Sequence, residues 1–326
     1  MESQQRSAVH QTQLTKRLPT RCVMFEINRL LLITTSEMSR TPAFDRAESL
    51  AKAAGAMLHI VAFDYVEALA VAGLFDHQSM AQAREGYLQV HRHWLEQQAR
   101  FGQCKGLDVT TEVVWAKPSI EEVLEYVNDF RADIVIKDVQ CVSAFKRVFY
   151  RPLDWLLLRD CPAPLHLVTD AKNPLPSKIL AAIDLSHLEE LTQGLNVQIL
   201  DIASTLALSC GAKLHLLNVS GWTMAGDLGV NLQNLTMEES LRDAVNDAQE
   251  EAFDTLGERY GVTQVRRHRV TGTPHTMIER FAANNAFDMI VMGTVHYRGV
   301  NVFIGSTAEN TLNRAPCSLM IVKPLS

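Results

Sequence analysis

The six cysteines, Cys22, Cys104, Cys141, Cys161, Cys210 and Cys317, form no CxxC pair and no metal-type spacing. This removes the usual sequence signatures of a structural zinc site or a dithiol redox centre, and no metal ligand is assigned. In a reducing compartment they are expected as free thiols. No uninterrupted apolar run approaches the ~20 residues that span a bilayer. The N-terminal stretch holds Gln4, Gln5, Arg6, Gln11, Gln13, Lys16 and Arg17 and has no apolar signal-peptide core. The expectation is a cytoplasmic protein without a membrane partner. A net charge of -6 gives no global basic surface for a nucleic acid. Also missing are a Gly-Lys-Ser/Thr phosphate loop, a GxGxxG after any strand, a GxSxG elbow and an SGGxDS adenylation motif. No catalytic residue is therefore assigned, and at most weak ATPase activity is expected. His91 and His93 stand two apart on an expected helix, where they cannot share a face as a metal pair.

What the chain does contain is the same unit twice. Gly55-Ala56-Met57-Leu58-His59 returns as Gly211-Ala212-Lys213-Leu214-His215, an offset of 156 (211 minus 55), and Pro118 returns as Pro274 at the same offset. Asp133-Ile134-Val135-Ile136 returns as Asp288-Met289-Ile290-Val291 at 155, and Pro162 to Leu165 as Pro316 to Leu319 at 154. A period near half the chain means a duplicated domain, because solenoid repeats run to only ~20–50 residues. The length of 326 residues suits two domains, and 47% hydrophobic with 21% charged residues is an ordinary globular composition.

Short apolar runs read as buried strands and alternate with helical patterns in both halves. In unit one the strands are Leu30 to Thr34, Met57 to Phe63, Val109 to Trp115, Ile134 to Ile136 and Leu165 to Val168. Helices are expected at Pro42 to Ala54, Ser79 to Phe101, and from Pro118 and Pro152. Unit two repeats the plan with strands Ile179 to Ile183, Lys213 to Val219, Val265 to Thr271, Met289 to Met292 and Leu319 to Val322. Helices are expected at Val197 to Ser209, at Pro274 to Asn284 and opening at Gly305-Ser306. A further helix starts at the capping box Thr236/Glu239, carries the stripe Leu241, Val245, Ala248, Ala252 and Leu256, and stops at Gly261. The pattern implies an α/β fold of two tandem, doubly wound, five-stranded parallel-sheet domains. The boundaries read as an extension over residues 1–23 expected to be disordered, domain one over 24–169, a linker over 170–177 and domain two over 178–326. Met24 is a candidate physiological start.

The richest stretch runs from Met292 to Asn310. A buried strand ends in Gly293, a loop follows, and Gly305-Ser306 opens a helix whose free N–H groups suit a phosphate. Strand, glycine loop, capped helix and final strand in this order resemble the C-terminal third of the universal stress protein family. The family pattern has an Asp at the end of the first strand, then Gly, two residues, Gly, nine residues, and Gly-Ser or Gly-Thr. Here Asp184 and Gly293 match, His296 takes the second glycine's place, and eight residues separate it from Gly305.

The resemblance implies a cofactor site for ATP or another adenine nucleotide in domain two. Asp184 would meet the adenine or ribose side and Val219 would offer backbone contacts. Gly293, Gly305, Ser306 and Thr307 would hold ribose and phosphates, with Met292, Val295 and His296 completing the set. Unit one departs further, with Thr34 for Asp184, Asp138 for Gly293 and Arg151-Pro152 for Gly305-Ser306. The run Arg151 to Pro162 resembles the tandem E-type members, and the likeness extends over about residues 27 to 324. It implies strand order 3-2-1-4-5 in each domain and a pseudo-dimer joined through the last strands. It also implies a role in stress survival and regulation, with protein partners and a homodimer as further expectations. Two other readings stay open: a scaffold or interaction protein that binds no nucleotide, and an enzyme like the adenine-nucleotide α-hydrolases.

Overall fold

The computed structural model describes residues 25–35, 37–67, 77–116, 119–139, 153–169, 173–186, 190–220, 235–294 and 306–324. The expected N-terminal extension and Met24 lie outside the described residues, as do Arg151 and Pro152. In unit one the elements are β1 (Arg29–Thr34), α1 (Pro42–Ala54), β2 (Met57–Asp64), α2 (His77–Cys104), β3 (Val109–Trp115), α3 (Ile120–Phe130), β4 (Ile134–Asp138), α4 (Leu153–Asp160) and β5 (Leu165–Val168). Unit two runs β6 (Lys178–Ile183), α5 (Glu190–Cys210), β7 (Lys213–Ser220), α6 (Leu235–Arg259), β8 (Arg267–Thr271), α7 (Pro274–Asn284), β9 (Met289–Gly293), α8 (Ser306–Asn313) and β10 (Ser318–Val322).

Local chemistry sets the boundaries. The α1 helix begins where the Thr41 side chain accepts from the Phe44 N–H at 3.3 Å, has Pro42 in its first turn, and stops at Gly55 with φ 68°. The α3 helix is capped by Ser119 and stops at Arg131, a non-glycine residue held at φ 56°. Strand starts are clamped the same way in both units. Asp133 Oδ2 accepts from the N–H groups of Asn28 and Arg29, each at 2.8 Å, and Asp288 Oδ2 accepts from those of Ser177 and Lys178 at 2.8 and 2.9 Å.

Each half has the expected order, β3-β2-β1-β4-β5 and β8-β7-β6-β9-β10. The expectation of two separate sheets is corrected: β5 pairs antiparallel with β10, and the two halves form one continuous ten-stranded sheet. An edge strand carries unpaired N–H and C=O groups, and pairing the two last strands satisfies both edges at once. At the centre of this junction His166 faces Met320, its own repeat equivalent at the offset of 154 (320 minus 166). The pseudo-dyad therefore passes through that pair.

Helices cover both faces, and each core runs across the junction. Leu30, Leu32 and Ile60 join Phe44 of α1, Leu95 of α2, Ile199 of α5 and Phe253 of α6 on one face. Leu31 and Val135 join Val127 of α3, Leu157 of α4, Ile278 of α7 and Leu312 of α8 on the other. Two further expectations are corrected. Among the α6 residues whose burial is described, Gln249, Phe253 and Gly257 are buried, with Leu256 and Tyr260 packed alongside, whereas Val245 and Ala248 are exposed. Val265 is 83% exposed in a 3-10 turn, Gln264–Arg266, and the strand begins only at Arg267. The α5 helix starts seven residues before Val197, at Glu190.

Candidate functional site

In a doubly wound sheet the helices after two neighbouring strands leave on opposite faces where the strand order reverses, and a crevice opens beyond the strand ends. In unit two that point lies between β6 and β9, which pair in parallel with Ala182 level with Met292. Asp184 follows the end of β6 and is exposed. Its Oδ1 accepts from the Ser186 N–H at 2.8 Å and from the Ser186 hydroxyl. Its main chain is clamped by Asn196 of α5: the Asp184 N–H donates to Asn196 Oδ1 at 3.1 Å, and Asn196 Nδ2 donates to the Asp184 carbonyl at 2.6 Å. Val219 is half-buried on β7, one residue beyond the paired positions Ile183 and Asn218.

Met292 and Gly293 close β9. The Met292 side chain is buried in the core with Ala308 of α8, so only its main chain is available at the crevice. Gly293 has a packing reason for lacking a side chain. A Cβ there would stand 2.6 Å from Leu195 Cδ2 and 3.1 Å from Ile199 Cδ1, both on α5. The glycine thus lets α5 close over the strand end. Ser306 opens α8, and Thr307 is half-buried in its first turn. Val295, His296 and Gly305 lie outside the described residues.

Two residues absent from the sequence reading belong to this end of the sheet. Asn196 fixes the Asp184 backbone. Thr294 is 2% exposed, donates its N–H to the Val322 carbonyl at 2.9 Å, and leaves its hydroxyl without a partner. The run Met-Gly-Thr at a strand end was the available signal for Thr294, whereas nothing in the sequence pointed to Asn196.

Unit one fills the equivalent place with its own side chains. Asp138 Oδ1 accepts from the Ala43 N–H at 2.9 Å, so a carboxylate of the chain itself occupies the N-terminus of α1. Beside it Lys137 and Asp154 form a buried ion pair at 2.8 Å, with side chains 5% and 2% exposed. At the repeat offsets these two correspond to Met292 (137 plus 155) and Ala308 (154 plus 154), both apolar and buried. The expected match of Thr34 to Asp184 is corrected: the register of β1 and β6 against β4 and β9 makes Thr35 the equivalent, and the hydroxyls of Thr34 and Thr35 are both buried without a partner among the described residues. The strand histidines differ between units as well. His59 bridges Tyr126 at 2.6 Å and Thr110 at 2.7 Å, while His215 stacks on His268 with Nδ1 3.0 Å from its Nε2. His91 is buried against Asp64. Among the described residues no group of three or more His, Cys, Asp or Glu side chains is placed to hold a metal ion, and no helix is long and apolar enough to cross a membrane.

The model of the universal stress protein family matches residues 26–169 and again 177–323. Over 302 residues the chain is 26% identical to Universal stress protein E of Escherichia coli strain K12, covering 90% of this chain and 93% of that one. Among solved structures it is similar to a protein of unknown function from Pseudomonas aeruginosa PAO1, with TM-score 0.71, 22% identity and coverage of 92% and 93% of the two chains. It is also similar to a universal stress protein from Archaeoglobus fulgidus DSM 4304, with TM-score 0.59, 20% identity and coverage of 92% and 98%.

Proposed function

The chain belongs to the universal stress protein family, with two tandem units, and from that premise we propose that it is a cytoplasmic regulator of stress survival whose second unit binds one adenine nucleotide. The observation that carries this reading is the contrast between the two crevices. In unit two the strand ends carry an exposed Asp184, a side-chain-free Gly293 and a helix opening at Ser306. In unit one Asp138 stands in place of Gly293, and its carboxylate already accepts from the N-terminus of α1.

In this reading Asp184 contacts the ribose or base, and the main chain of Val219 and Met292 lines the base side. Gly293, Val295, His296, Gly305, Ser306 and Thr307 surround ribose and phosphates. The Thr294 hydroxyl is a further donor for the ligand. ATP is the reference ligand. A scaffold role is the second reading, favoured for unit one by its self-filled crevice.

The proposal is tested by denaturing freshly purified protein and identifying released small molecules by mass spectrometry. An adenine nucleotide is expected from the wild type and is expected to be missing from Asp184→Ala and Gly305→Asp, both folded. Retention of the nucleotide by both variants would place it elsewhere.

A further inference from the structure

Where α1 meets the junction of the two units, the core contains an arginine. Arg46 is 1% exposed, yet it forms no ion pair with any described carboxylate. Its Nη1 donates to Nε2 of His166 at 3.3 Å, and its Nη2 donates to the Asn173 carbonyl at 3.2 Å. Arginine can only donate, so His166 Nε2 accepts and the ring proton sits on Nδ1, facing the Leu319 carbonyl at 3.0 Å. Burial first, and the nearby guanidinium second, push His166 down to about 3, so the ring is neutral and offers no charge to its neighbour. The Arg46 Nε–H is buried with no partner among the described residues.

The repeat shows that packing does not require this charge. Arg46 corresponds to Ile202 (46 plus 156), and His166 corresponds to Met320; both equivalents are apolar and buried. Unit two therefore builds the same position on the same face from hydrocarbon. A buried cation that touches no carboxylate and has only the more distant Asp288 as counter-charge is costly, and an apolar residue of similar volume is often equal or better for stability.

A cavity of about 260 Å³ adjoins the guanidinium at the end of the sheet where β5 stops and β10 starts. It is lined by Arg46, Thr169, Asn173, Asp288, Cys317 and Ser318, among others. Asp288 is the one acid of this set, and its role in the fold is already defined. Its Oδ2 takes three hydrogen bonds, from Ser177 N and Oγ and from Lys178 N, in the clamp that Asp133 repeats in unit one. These bonds and Arg46 hold its carboxyl below the usual range despite burial. That leaves an arginine with spare donors facing a polar cavity.

We propose that this cavity at the seam of the two units is a binding site for a small oxyanion, held by the Arg46 guanidinium and distinct from the crevice of unit two. Phosphate and small carboxylates share the recognising chemistry, since both accept from the planar fork of arginine.

The test uses the full chain. Thermal unfolding is followed with increasing inorganic phosphate or malonate at pH 7, each against chloride of matched ionic strength. A ligand that binds only the folded state raises the midpoint in proportion to the logarithm of its concentration once past saturation. The wild type is expected to respond to phosphate, to malonate or to both, and the responding ion identifies the source. Arg46→Met is expected to abolish the response without lowering the midpoint in chloride, and Arg46→Lys to weaken it at least tenfold in apparent affinity. Gly305→Asp, which disables the other crevice, should respond like the wild type. A second readout does not depend on the methionine variant folding: isothermal titration with the responding ion should give binding heat for the wild type and at least tenfold weaker binding for Arg46→Lys. The proposal is overturned if neither ion acts, or if the wild type and the Arg46 variants respond alike.

Discussion

Gly293 illustrates how one residue carries two requirements. In the sequence it stands out as a glycine at a strand end, where backbone approach to a phosphate is expected. In the structure a Cβ at this position would run into Leu195 at 2.6 Å. Gly293→Ala should therefore cost about 1–3 kcal/mol through overpacking, seen as a lower urea midpoint even without nucleotide. An unchanged midpoint would mean that α5 yields easily. The strand-end positions of Asp184 and Gly293 were legible because each stands at the end of a short apolar run. Thr294 and Asn196 were less so, since their importance lies in a missing hydrogen-bond partner and in a clamp on another element's backbone. Arg46 was illegible for a different reason: its spacing from Ala43 and Leu50 sets it on the buried face of α1, and nothing in the sequence shows which polar groups of the junction it meets there.

The paired histidines give a pH prediction at the same scale. Burial first and the neighbouring His268 second push His215 down to about 4 from the usual 6.5, and burial also lowers His268. Between these values the unfolded chain binds more protons than the folded one, so stability rises with pH across the window. Acidification from about pH 6.5 to 4 should lower the urea midpoint, and His215→Gln should flatten that slope. Equal slopes in both proteins would remove the histidine pair as its cause.

Among the elements, helix ends were readable wherever a side chain or glycine marked them, as with Thr41, Pro42 and Gly55 around α1. The end of α3 lacked such a mark. Arg131 adopts a left-handed conformation that costs a non-glycine residue about 1 kcal/mol or more. Arg131→Gly should accordingly raise the urea midpoint, as Gly55 does its equivalent task without strain; a lower midpoint would show that the arginine side chain compensates. The α6 stripe was misplaced because Val245, Ala248 and Ala252 are weak apolar markers on a mostly polar helix. The single large anchor, Phe253, and the buried Gln249 set the true face. The buried pair linking β4 to α4 supplies a sharper test. Removing one partner in Lys137→Met should cost about 3–5 kcal/mol, while Lys137→Met with Asp154→Ala, which copies the apolar pair of unit two, should recover most of it. A double variant as unstable as the single would show that unit one cannot accept the apolar arrangement.

At the level of the whole molecule, duplication was legible from four ordered landmarks, and the strand order followed from the family resemblance. That the halves share one sheet was not, because edge pairing depends on how two finished domains meet. Its consequence is a pair of cores continuous across the seam, so urea unfolding monitored by fluorescence and by circular dichroism should give coincident, single transitions. The same duplication makes the proposed function quantitative: one nucleotide per chain, held by unit two alone. Isothermal titration of the full chain with ATP tests this most directly. The predicted result is one site per chain, lost in Asp184→Ala and retained in Arg151→Ala of unit one; two sites per chain, or no binding heat at any concentration that saturates a nucleotide-binding relative, would contradict it.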